Sequence, residues 1–356
     1  MIAVIADDIT GAAEMAGIAR CLGLRVMLTT KPDGEVDTDI LVIASDTRSM
    51  TEQEAARESA KLGTTVGRMQ GVTHIFKKTD SALRGHVTAE LCALLDTTGY
   101  DRAFYLPANP SKRRIIRDGT YYVDNRPLHE TDFSFDPEFP AFSSILSERF
   151  PAVGERISFA DATCTRDIEE VVEKCPSNTM LAGAADLFTA FLHRRYPSLQ
   201  PAQEATPHVD LSDSIIICGS TQSKPVECGA LTAPMPLEVY DGTASTIGWI
   251  TTLSEEYAAG RSLILTMAHH HRTGHESAVY LRETMASVVA ALTDIRLPRE
   301  IVIEGGATAY AILSRLGWKS FEITSQIAPG VIRMSAPNGT CITMKPGSYP
   351  WGTLFA

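Results

Sequence analysis

Acidic and basic side chains recur just after short apolar runs in the first hundred residues of this 356-residue chain. Asp7 and Asp8 follow IAVIA, Asp46 and Arg48 follow ILVIA, and Lys78, Asp80, Ser81, Arg84 and Gly85 follow HIFK. Carboxylates so placed can bind sugar hydroxyls, hold Mg²⁺ or accept a proton from an attacking hydroxyl. Arg48, Lys77, Lys78 and Arg84 can fix a substrate carboxylate and offset charge developing on a transferring phosphoryl group. One Asp before a helix is usually a cap. Three of them, Asp8, Asp46 and Asp80, at the ends of three parallel strands point instead to a shared site. The run Lys112, Arg113, Arg114 and Arg117 reads equally as a solvated basic face or as a further anion contact.

Later, EIVIEGGATAYAILSRLG sets Gly305 and Gly306 between a strand and a helix start. Backbone N–H groups there can approach a phosphate at the positive end of the helix, although the same pair could make a close packing turn. Neither a Walker A motif nor the protein-kinase signature set occurs, and GxSxG is absent. Of His269, His270, His271 and His275, only the last two would share a helical face, so no metal site is expected. The seven cysteines never form a CxxC pair and read as reduced, mostly core thiols.

The elements that must position these residues follow one grammar three times: a β-branched run, a loop carrying Asp, then a helical pattern. The helices are expected from Thr10 to Leu22, from a capping box of Thr51 and Glu54, and through Glu90 to Leu95. A fourth strand, Ala103 to Leu106, leads into PANPSKRRIIRDG, and GTYYVDNRPL predicts a hairpin turning at Asp124 and Asn125. The aperiodic, Pro-rich stretch PSLQPAQEATPHVDLSD separates an expected domain 1–205 from another at 213–356. After it, strands are expected at Ser214 to Cys218 and Ile301 to Glu304, with a helix through Leu316. The expected fold is α/β: two domains, each with a largely parallel sheet flanked by helices.

The 32 Lys and Arg against 43 Asp and Glu give a net charge of -11 and no electrostatic case for nucleic acid or an anionic membrane. No apolar run approaches ~18 residues and no signal-peptide pattern opens the chain, so a soluble cytoplasmic protein is expected. Self-association is left open.

ADDITGAAE, DTRS, KKTDSALRG and GGATA, in this order, resemble the four-carbon acid sugar kinase family. The family's DDxTGA pattern is similar to Asp7, Asp8, Thr10, Gly11 and Ala12. Its KxDSTLRG pattern is similar to Lys78, Asp80, Ser81, Leu83, Arg84 and Gly85, with Ala82 in place of Thr. A PAxP stretch with a following Arg resembles Pro107, Ala108, Pro110 and Arg114. On the nucleotide side, Gly219 and Ser220, then Gly305, Gly306, Thr308 and Ala309, then Pro329, Gly330 and Val331 echo family motifs, and Lys345 and Gly347 do so in part.

The resemblance implies ATP-dependent phosphorylation, with Mg²⁺, of a hydroxyl of an acid such as threonate or erythronate, in a cleft between the two domains. Asp8, Asp80 and Arg84 are the expected catalytic residues. Asp7, Asp46, Arg48, Lys78, Ser81, Gly85 and Arg114 are expected to bind the acid. ATP is expected on Gly219, Ser220, Gly305, Gly306, Thr308, Gly330, Lys345 and Gly347. The second half departs from the family: Ala307 stands where Asp is usual, and STQSKPVECG loses a Thr and a Gln. The alternative is therefore a non-catalytic sugar-acid binding or regulatory protein with a degenerate nucleotide domain. A phosphohydrolase is set aside, because Asp7 and Asp8 are adjacent and should face opposite ways on an extended chain.

Overall fold

The computed structural model describes residues 1–34, 36–136, 138–150, 154, 156–200, 209–219, 226–267, 271–347 and 349–355. The chain divides into two compact units, Met1–Ala202 and Gln203–Ala356. Residues 201–208 of the Pro-rich stretch expected at the boundary lie outside the described residues.

The first unit begins β1 (Ile2–Ala6), α1 (Ile9–Cys21), β2 (Val26–Thr29), β3 (Ile40–Ala44), α2 (Glu52–Arg68), β4 (His74–Lys78), α3 (Val87–Thr97) and β5 (Arg102–Leu106). A small antiparallel sheet of β6 (Arg114–Arg117), β7 (Thr120–Val123) and β8 (Arg126–Pro127) follows. The unit closes with the one-turn α4 (Leu146–Arg149), β9 (Ile157–Ser158), α5 (Thr165–Lys174), β10 (Thr179–Gly183) and α6 (Ala185–Arg195).

Its main strands run in the order β2-β3-β1-β4-β10-β5-β9, every pairing parallel. All five residues of β1 and of β3 are buried, as strands covered by helices on both faces require. Lys77 and Lys78 show which helices do the covering. Lys77 Nζ meets Glu90 of α3 at 2.6 Å, whereas Lys78 Nζ lies 3.7 Å from Glu14 of α1. Successive strand residues face opposite sides, so α1 and α3 lie on opposite faces. Lys77 is thus a buried structural partner of Glu90 and not, as its place in the sequence led us to expect, a cation of the strand-end site.

The expected capping box is formed: Thr51 Oγ1 accepts from Glu54 N, and the Glu54 carboxylate accepts from Thr51 N. The hairpin at Asp124 and Asn125 also stands, both residues taking positive φ, 51° and 65°. Sequence reading missed β6, which pairs with β7 across Asp118 and Gly119, again at positive φ. The basic residues at both its ends hid its extended character.

The second unit contains β11 (Ser214–Cys218), β12 (Leu231–Pro234), α7 (Leu237–Tyr240), α8 (Ile247–Ala258), β13 (Leu263–Thr266), α9 (His275–Ile295), β14 (Glu300–Glu304), α10 (Gly306–Arg315), β15 (Ser320–Ala328), β16 (Val331–Ser335) and β17 (Cys341–Lys345). Here β12-β13-β11-β14-β17 are parallel, and β16 and β15 continue the sheet antiparallel.

Two expectations fail. Among the cysteines only Cys218 is buried, while Cys21 and Cys164 are exposed, so the thiols are not mostly core. His271 and His275 do not share a helical face, because α9 begins at His275; His271 instead meets Asp241 at 2.6 Å. His269 and His270 lie outside the described residues.

Candidate active site

Because β3, β1 and β4 are neighbours in matched register, with Ala6 beside both Ala44 and Lys78, the loops that follow them open side by side. Arg48 is the residue on which those loops meet. Its Nε donates to Asp7 Oδ2 at 2.9 Å and its Nη2 to Asp8 Oδ1 at 2.9 Å. The same Nη2 lies 3.7 Å from Asp80 Oδ1. The sequence argument that Asp7 and Asp8 face opposite ways is thereby corrected. The chain leaves the strand at Asp8 to enter α1, and the turn brings both carboxylates to one guanidinium.

Each acid also serves its own loop. Asp8 caps α1, accepting from Gly11 N at 2.9 Å and from the Thr10 hydroxyl. Asp80 receives a two-pronged bond from Arg84, Nε to Oδ2 and Nη2 to Oδ1, both at 2.9 Å, and a third from Ala82 N. Such forked pairing fixes orientation as well as charge. Asp7 is 2% exposed, and its Oδ1 has no partner among the described residues.

Burial alone would push the Asp80 carboxyl up, but Arg48, Arg84 and Lys78 outweigh it and hold the group far below the ordinary carboxylate range. At Asp8, burial is likewise overcome by Arg48 and Lys78 and by the Thr10 hydroxyl, so that its pKa too is lowered. The three acids in turn hold Arg48 well above its ordinary value against the effect of burial. Asp8, Asp80 and Arg48 are therefore ionised at neutral pH.

Glycines let these side chains approach. A Cβ on Gly11 would stand 2.6 Å from Asp8 Oδ1 and 3.2 Å from Lys78 Nζ, which places Lys78 at the same helix start. Gly85, at φ 94°, would bring a Cβ to 3.0 Å from Asp7 Oδ2. Ser81 accepts from Arg114 through its hydroxyl and from Tyr121 Oη, at 2.5 Å, through its carbonyl. Asp46 takes a left-handed φ of 55° and accepts from Ser49 Oγ at 2.7 Å, which shapes the turn presenting Arg48. The basic run does not act as one patch: Lys112 reaches Glu14 and Arg113 reaches Asp124, while Arg114 turns to Ser81. Sequence reading missed Tyr121 and Glu14, whose roles depend on long-range pairing that leaves no local signal.

In the second unit Gly305 takes φ 102° ahead of α10, and Gly306 opens the helix. The first turn of a helix presents N–H groups without intrahelical acceptors, and the missing side chains leave room for an anion, so this segment fits a phosphate. Gly219 has a packing reason: its Cβ would lie 2.6 Å from Thr308 Oγ1 and 2.7 Å from the Glu304 carbonyl. Thr308 is buried beneath it. Gly330 would meet the Tyr349 ring at 2.5 Å. Lys345 is 2% exposed; it pairs with Glu304 and donates to the Pro346 and Gly347 carbonyls at 3.2 and 3.3 Å. It therefore anchors its own loop. Ser220 lies outside the described residues.

Residues 2–152 match a family model described as a sugar-binding N-terminal domain, and residues 243–349 one described as a nucleotide-binding C-terminal domain. A Burkholderia multivorans protein named 3-oxo-tetronate kinase is 26% identical over 382 residues, covering 92% of this chain and 89% of its own. A Salmonella typhimurium protein named D-threonate kinase is 28% identical over 220 residues, 52% of each chain. A crystal structure of a Haemophilus influenzae protein shares the fold, with a TM-score of 0.76 at 20% identity, covering 99% of this chain and 98% of that one.

Proposed function

The chain belongs to the four-carbon acid sugar kinase family, and from that premise we propose that it transfers the γ-phosphoryl group of ATP to a hydroxyl of a four-carbon sugar acid. The observation that carries this reading is the convergence of Asp7, Asp8 and Asp80 on Arg48 at three adjacent strand ends. An interleaved set of carboxylates and guanidiniums suits a substrate that carries hydroxyls at one end and a carboxylate at the other.

Asp8 accepts the proton of the attacking hydroxyl. Both oxygens of Asp80 are engaged by the Arg84 fork, whereas Asp8 already accepts from a hydroxyl, that of Thr10, as it would from the substrate. Asp80 fixes Arg84 through the forked pair and so aims it at the developing charge. Arg114, which pairs with no carboxylate among the described residues, takes the substrate carboxylate beside Ser81. Gly305, Gly306 and the first turn of α10 receive the nucleotide phosphates. Mg²⁺ bound with the nucleotide supplies neutralisation of phosphate charge. Positioning and charge balance dominate phosphoryl transfer, so the arginines matter as much as the base.

The test is a screen of threonate, erythronate and 3-oxo-tetronate isomers with Mg-ATP, reading ADP release and product mass. A phosphorylated acid is expected from at least one, and its loss in Asp8→Asn. The second reading, a sugar-acid binding protein without catalysis, is favoured by Ala307, exposed in the first turn of α10 where the family usually has Asp. Calorimetric titration separates the two. Mg-ATP binding that is weakened in Gly306→Val supports the kinase, and no binding at millimolar nucleotide removes it.

A further inference from the structure

We infer that Arg149 is a positioning residue for the loop from Asp80 to Gly85, holding it from beneath through the Leu83 carbonyl; its catalytic meaning rests on the kinase reading above. Arg149 Nη2 donates to Leu83 O at 3.2 Å. That carbonyl and the Arg84 N–H belong to one rigid peptide plane, so fixing it sets the direction in which Arg84 leaves the chain toward Asp80.

The loop needs such support. Leu83 sits at φ 62°, a left-handed conformation that a bulky side chain takes only when its surroundings impose it. Inside the loop, Leu83 N reaches Asp80 O at 3.2 Å and Ala82 N reaches Asp80 Oδ2 at 2.9 Å. From outside, Tyr121 and Arg114 pin Ser81, and Arg149 pins Leu83. All three come from the segment between β5 and β9, which gives that segment a task in the site.

Arg149 is also costly if it is only a tie. Its Nε and Nη1 are buried without a protein partner among the described residues. Phe142 covers the guanidinium at 5.3 Å. Burial lowers its pKa, with only the Tyr105 hydroxyl opposing. A neutral donor could bond one carbonyl without burying a charge. The Tyr105 hydroxyl, 0% exposed, feels both the Arg149 charge and that of Asp80. Neither the short α4 nor the surrounding SERF sequence signals any of this.

The experiment compares wild type with Arg149→Met and Arg149→Lys. Hydrogen exchange is read at the Ala82 and Leu83 amides, with the Gly11 amide as control, and kcat and KM are read for the acid and for ATP. In Arg149→Met the two loop amides should exchange at least about ten-fold faster and kcat fall about ten-fold, as loss of a bond from a charged group implies. Gly11 exchange and the KM for ATP should not move, and Arg149→Lys should recover part of both losses. Unchanged loop exchange in Arg149→Met overturns the inference, as does equal acceleration at Gly11. If Arg149→Met does not fold, the lysine variant carries the same comparison. Should wild type phosphorylate no four-carbon acid, the kinase reading fails by itself, and the loop amides still decide the role of Arg149.

Discussion

Removing the Arg48 guanidinium leaves Asp7, Asp8 and Asp80 facing one another with one counter-charge fewer. Breaking a mostly buried ion pair by deleting one partner costs about 3–5 kcal/mol. Arg48→Met should therefore lower stability by about that amount at pH 7 in denaturant melts. The loss should shrink at pH 4, where the orphaned acids can take up protons. Asp80→Asn tests the opposite side of the balance. The folded-state pKa of Asp80 is depressed, so its ionised form contributes stability above the unfolded value of about 3.8–3.9 and loses it as pH falls toward the folded value. The melting-temperature gap between wild type and Asp80→Asn should be constant above about pH 5 and narrow below pH 4. A gap that widens on acidification would contradict the assignment. Asp8, Asp80 and Arg84 were legible as a constellation because each follows a strand at a fixed offset. Arg48 as a shared hub was not, since sequence places it beside Asp46 and gives no sign that its fork reaches two other loops.

At the scale of elements, β10 supports the loop after β4 most closely. Thr79 N donates to Gly183 O at 3.0 Å, and a Cβ on Gly183 would lie 2.1 Å from the Leu106 carbonyl. Backbone cannot yield by that much, so Gly183→Ala should destabilise the first unit by about 2 kcal/mol or more. The β4 loop should loosen with it, read as faster exchange at Thr79. Full stability in this variant would show that β10 can shift without disturbing its neighbours. Strands β1 and β3 were readable from sequence because burial on both faces writes continuous apolar runs, and β4, which carries two lysines, was readable from its place in the repeated strand-loop-helix pattern. The run Thr179 to Gly183 follows a similar rule, but its pairing between β4 and β5 is a matter of long-range register that no local pattern records. β9, two residues long, offers no pattern at all. Turn chemistry was legible where Asp and Asn accept left-handed φ, as at Asp124 and Asn125, and illegible where a leucine does so.

At the scale of the whole chain, each unit has its own buried core, and ligands that bind only folded protein stabilise what they bind. Scanning calorimetry should show the substrate acid raising one transition and Mg-ATP another; a single transition moved equally by both would mean that the units unfold together. The strand order of the first unit has a further consequence, which concerns synthesis. β5 stands two places from β4, and the strand that fills the gap is made some seventy residues later. A ribosome-bound chain can assemble β3, β1 and β4 early but must keep an open edge on β4 until Gly183 has emerged. Exposed edges of this kind invite pairing with other chains. A fragment ending at residue 178 should accordingly aggregate, whereas one ending at residue 202 should stay soluble and bind the acid. The chain thus makes its first acidic motif at residue 7 and can use it only after the last strand of the same sheet is in place.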